Sequence, residues 1–110
     1  MTYQHKGLAA GGWQRLTFFE QMANIGSEVE RALTWGARHQ PAHAQRAFAR
    51  GLELVDLTLA DAGSPSRLRE LTRLREAMVD YFSGTNQFAS SDASWRRYFS
   101  PFTFAARRGR

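Results

Sequence analysis

From Trp13 to about Arg38 the apolar residues Phe18, Phe19, Met22, Ile25, Val29, Ala32 and Leu33 recur at helical spacing. At 100° per residue they fill one arc, and Thr17, Glu20, Asn24, Ser27, Glu28 and Arg31 cluster opposite, so the pattern predicts one long amphipathic helix. Gly26 lies inside the apolar arc, where glycine costs about 1 kcal/mol relative to alanine. Close approach by a neighbouring helix would compensate that cost; the alternative is an unpacked kink.

Trp35-Gly36 and His39-Gln40-Pro41 end this helix and start the next, since proline suits a first turn and damages an interior. A second helix is predicted from Pro41 to about Asp61, with the stripe Ala44, Ala47, Phe48, Gly51, Leu52, Val55, Leu59 and Ala62. Its many small residues point to a closely approaching partner. Leu57 falls outside the stripe and is expected either as an exposed leucine or as a mark of a second interface. Gly63-Ser64-Pro65 then gives a helix stop, a cap and a first-turn proline. The third helix, about Pro65 to Phe82, has the core stripe Leu68, Leu71, Leu74, Met78 and Phe82, with Arg75 at its edge. Its interleaved arginines and acids, Arg73 and Glu76 among them, predict a solvated, ion-paired face.

After ten aperiodic residues a fourth helix is expected to start near Ser91 or Asp92. Trp95, Tyr98, Phe99, Phe102, Ala105 and Ala106 share an arc, and Arg96, Arg97, Arg107 and Arg108 point away from it. Ser100-Pro101 reads as the cap and first position of a new helix, which predicts a kink or a split at Pro101. Phe104 lies among the arginines and is the candidate exposed aromatic. The fold expected is all-α, an antiparallel up-down-up-down four-helix bundle. Residues 1–12 would form a flexible N-terminus and 13–110 a single domain.

Charge sharpens the picture of the tail. All ten acids precede Trp95 and are matched there by ten Lys and Arg, so the net +5 resides in Arg96, Arg97, Arg107, Arg108 and Arg110. The body is neutral, and the tail is either a contact surface or the last amphipathic helix. Cysteine is absent, which removes disulfides, thiolate metal sites and cysteine nucleophiles. No apolar run reaches the length of a membrane span or a signal-peptide core, and a cytoplasmic location is expected.

Searches for chemistry end without a site. His39 and His43 have the spacing of helical zinc ligands, but Pro41 lies between them and His5 is the sole other histidine. Phosphate-cradling loops, dinucleotide fingerprints and serine elbows are missing from the sequence. Glu53 with Asp56 and Glu76 with Asp80 recur at helical spacing, yet each pair also has arginines within bonding reach. Neither an enzyme, a metal nor a cofactor is expected.

Three stretches, Phe18 to Leu33, Leu71 to Phe82 and Arg97 to Arg107, resemble the small four-helix proteins related to those encoded in bacterial 23S ribosomal RNA intervening sequences. The resemblance implies a bundle that assembles with its own copies into a closed ring, a pentamer, and a basic relative of the family is similar to an accessory protein that binds RNA through the ring surface. Here the body is neutral and the basic charge is confined to the tail. Two functions follow. One is a self-assembling structural or interaction protein, with the aromatic tail as an interface. The other is a nucleic-acid-binding module that sets Arg96, Arg97, Arg107, Arg108 and Arg110 against phosphates and offers Tyr98 or Phe104 for stacking.

Overall fold

The structure, a computed structural model, describes residues 11–108. Residues 1–10 of the expected N-terminal segment, and Arg110, lie outside the described residues. Among those described the chain is all-α, with four helices and no strand: α1 (Phe18–Ala37), α2 (Pro41–Ala60), α3 (Pro65–Ser83) and α4 (Asp92–Arg108). A short 3-10 turn, Trp13–Arg15, precedes α1.

Local chemistry sets the helix ends. Thr17 and Glu20 form a reciprocal capping box, so α1 starts at Phe18 and not at Trp13 as its apolar periodicity predicts. Pro41 and Pro65 occupy first-turn positions, and the Ser64 side chain accepts from the Arg67 N–H. Ser91 and Ser94 bond each other reciprocally at the start of α4. Pro101 lies inside α4, which is one helix from Asp92 to Arg108. Proline removes one helical hydrogen bond, that to the carbonyl four residues back. Here the carbonyl is that of Arg97, an exposed residue like Pro101 itself, so water can satisfy it.

One core holds the helices together, and α1 is its centre: α2 and α4 both pack against α1, and α3 packs on α2. Small residues set the close approaches. A Cβ added at Gly26 would stand 2.8 Å from Cγ and Cδ1 of Phe99 on α4, the close approach its place in the stripe predicts. At Gly51 it would stand 3.5 Å from Cβ of Glu28 on α1 and 3.2 Å from Cε of Met78 on α3. The seam between α3 and α4 is filled by larger groups: the Tyr81 and Trp95 rings lie 6.0 Å apart, and Tyr81 donates to Asp92.

Several side chains depart from the predicted pattern. Trp13 is fully buried and donates its indole N–H to Thr58 Oγ1 at 2.9 Å, while the Gln21 amide donates to the Trp13 carbonyl at 2.9 Å. The turn that carries Trp13 packs on α2, and on that helix Leu54, Leu57 and Thr58 are buried. Leu57 is thus a core residue and not an exposed one. Glu28, predicted on the polar side of α1, is 5% exposed and accepts from Arg31 at 2.8 Å and Arg50 of α2 at 3.1 Å. Two guanidinium groups compensate the buried carboxylate. Leu68 is 48% exposed and Phe19 49% exposed, although both fall in the predicted apolar stripes.

The Gly26 contact yields a paired test. Gly26→Ala should destabilise the protein by about 1–3 kcal/mol, the cost of overpacking against a ring that cannot retreat, even though alanine is the better helix former. Gly36, also in α1, has nothing within 4 Å of an added Cβ. Gly36→Ala should therefore be neutral or stabilising by up to about 1 kcal/mol. Urea denaturation of both variants checks the difference in sign.

Candidate functional site on the fourth helix

The fourth helix turns three faces in three directions. Toward α1 it buries Trp95 and Phe99, toward α3 it sends Tyr98, and outward it exposes Arg97, Phe104, Arg107 and Arg108. Phe104 is 62% exposed, in agreement with its place in the sequence pattern, and the Arg108 guanidinium lies 5.7 Å from its ring centroid.

Two of the candidate binding residues are engaged inside the chain. Arg96 makes a bidentate pair with Glu30 of α1, with both N–H to O distances 2.9 Å. The pair raises the Arg96 pKa, and its hydrogen bond holds the Glu30 carboxyl below its ordinary value. Tyr98 donates to Glu70 of α3 at 2.9 Å, and its ring packs on Phe99 at 4.9 Å and Phe102 at 5.6 Å. It therefore closes the edge of the core and does not stand free for base stacking. Arg97, Arg107 and Arg108 are exposed and have no acid partner among the described residues.

Acids elsewhere are likewise committed. Asp56 pairs with Arg75 across α2 and α3 at 2.8 Å, which raises the Arg75 pKa, and Asp80 accepts from the backbone N–H groups of Gln87 and Phe88 at 2.7 and 3.0 Å. Asp56 and Asp80 are thus engaged with Arg75 and with the loop before α4, in different places. Of the ion-paired face predicted on α3, the Arg75 bridge is present and is made to another helix. His39 sits in the left-handed region in the connection before α2, and His43 stacks on Trp35 with ring centroids 4.4 Å apart. Among the described residues no three His, Cys, Asp or Glu gather as a metal would require, and no helix is long and apolar enough to cross a membrane.

Two surface features bring together groups that periodicity did not associate with one another. The first is an aromatic cluster where the starts of α1 and α3 meet α4: the Phe18 and Phe19 rings lie 6.2 and 6.3 Å from that of Phe102, and the Arg67 guanidinium covers Phe18 at 4.5 Å. The tandem Phe18-Phe19 was its sequence signal, because two successive residues cannot both point to the centre of one helix face. The second is a groove of about 570 Å³ between α1 and α4, into whose lining enter Glu30, Arg31, Trp95, Arg96, Phe104 and Arg107. No local signal could find it, since its walls come from residues more than sixty positions apart.

Compared with known proteins, the chain matches no family model, no curated protein and no solved structure.

The tyrosines predict an alkaline limit to stability. Burial first, then the bond to Asp92, pushes Tyr81 up from 10.0 to about 12, and burial with the Glu70 bond raises Tyr98 in the same direction. A folded-state pKa above the unfolded one stabilises below the unfolded value and is lost as pH rises through the folded value. Stability should therefore fall between pH 10 and about 12. Tyr98→Phe should show a shallower fall over that window, measured by urea midpoints at stepped pH, whereas a parallel profile would exclude Tyr98 as a contributor.

Proposed function

We propose that this protein is a self-assembling structural or interaction protein that associates with copies of itself. The observation that carries the reading is the cluster of Phe18, Phe19, Phe102 and Arg67, in which three helices contribute to one aromatic surface and Phe19 is half exposed. Aromatics and arginine are the residues enriched at the cores of protein interfaces, and covering such a surface removes apolar area from water. The resemblance to the intervening-sequence family supplies the form of the assembly, a closed pentameric ring in the cytoplasm.

Light scattering after size exclusion should give a discrete mass several times the 12.5 kDa of one chain, unchanged in high salt because the contact is apolar. Phe19→Asp tests the surface without disturbing the fold, since Phe19 is exposed and an acid in the first turn of a helix is favourable. This variant should fall to a lower mass. A parent protein that is monomeric at micromolar concentration overturns the reading, and an unchanged mass in the variant removes this cluster as the contact.

Nucleic-acid binding is the second reading, favoured by Arg97, Arg107 and Arg108, which face outward beside Phe104 without acid partners among the described residues. Arg96 and Tyr98 are withdrawn from it by Glu30 and Glu70. Each arginine that neutralises a phosphate contributes about 0.7 to 0.9 to the slope of log affinity against log salt. Replacing Arg97, Arg107 and Arg108 together by alanine should lower that slope by roughly 2 to 3, measured with labelled single-stranded RNA. Absence of binding by the parent at low salt sinks this reading.

A further inference from the structure

The α1–α4 groove contains an imbalance between donors and acceptors that self-assembly does not use. Arg31, Arg96 and Arg107 enter its lining against one acid, Glu30. Glu30 is already engaged by both arms of Arg96 and by the Thr34 hydroxyl. Arg31 directs one N–H group at Glu28 and retains its other donors, while Arg107 has no salt bridge among the described residues. Including Glu28 and Arg50 behind Arg31, the surroundings carry two net positive charges. Trp95, 5% exposed and also lining the groove, has a buried indole N–H without an acceptor among the described residues.

At about 570 Å³ the groove falls in the size range of small-molecule sites. Its rim carries Phe104, a ring 62% exposed and ready to cover a flat apolar body. Planar guanidinium forks suit the oxygens of a phosphate, whose two negative charges match the local excess better than a carboxylate's one.

We infer that the groove between α1 and α4 binds a small phosphate ester that carries a flat aromatic ring, a nucleoside monophosphate in chemical class. Arg107 and Arg31 hold the phosphate, and Phe104 covers the ring. This site lies apart from the Phe18–Phe19–Phe102 cluster and so stands or falls independently of self-assembly.

The test is calorimetric titration of the full chain, in the oligomeric state in which it purifies, with adenosine 5′-monophosphate, adenosine and inorganic phosphate. The nucleotide should bind, and the two fragments should each bind about tenfold more weakly or worse, since each lacks one half of the recognition. Arg107→Ala and Phe104→Ala alter exposed side chains, so both should fold as the parent does. Arg107→Ala should weaken the nucleotide by about tenfold or more, as loss of a charge-assisted contact does. Arg97→Ala, a cation of the same helix outside the groove, should stay within about twofold. No binding at millimolar nucleotide overturns the proposal. So does equal weakening by Arg97→Ala and Arg107→Ala, which would mean diffuse attraction to the tail, the behaviour expected of a nucleic-acid surface.

Discussion

The position of α4 depends on the absence of one side chain. α4 packs chiefly against α1, and at their contact Phe99 lies so close to Gly26 that even a methyl group would stand 2.8 Å from its ring. Glycine in mid-helix costs about 1 kcal/mol in propensity, and burial of a phenylalanine ring in a close-packed core outweighs that. With Phe99 seated, α4 is fixed in rotation. Trp95 enters the core, Arg96 reaches Glu30, and the outer arginines have no choice but to face solvent. The groove and the exposed cationic surface are thus consequences of the same contact.

A second constraint acts through the acids. Although the chain carries only ten of them against fifteen basic residues, seven serve the fold: Glu20 caps α1, Glu28 and Glu30 tie arginines to it, Asp56 joins α2 to α3, Glu70 and Asp92 accept from tyrosines, and Asp80 organises the loop before α4. All ten acids precede Trp95 and are balanced there by ten Lys and Arg, so the net positive charge lies in the tail arginines, of which Arg96 is paired with Glu30 of the body.

Local signals were legible in proportion to how local their causes are. Pro41, Ser64-Pro65 and the serines before Asp92 gave helix starts correctly to within a residue, because capping and proline sterics act over one turn. The aromatic and arginine faces of α4 followed from periodicity, and so did the close approach at Gly26. Helix α1 was begun too early because Trp13 continues its apolar rhythm, although Thr17 and Glu20 carried the capping-box signal. At Leu57 the wheel left open an exposed leucine or a second interface, and its burial fits the second; the turn that meets α2 at Thr58 belongs to a segment forty-five residues away, beyond the reach of periodicity. Glu28 was misread because a buried carboxylate needs two arginines from different helices, and the sequence alone does not reveal that convergence. Likewise Arg96 and Tyr98 looked free because their partners are distant, at Glu30 and Glu70.

That α4 could serve two kinds of contact at once follows from its geometry. Successive residues turn by about 100°, so side chains at positions one apart leave the axis in clearly different directions. Arg96 and Arg97 are the example: the first is drawn against α1, while the second points to solvent with no acid partner among the described residues. Phe102 and Phe104 separate in the same way, the first joining the aromatic cluster with Phe18 and Phe19 and the second standing at the groove. A protein contact that covers the Phe102 side leaves the Phe104 side open. The proposed assembly and the proposed small-anion site are then compatible on one helix, because each is assigned a face that the other leaves uncovered.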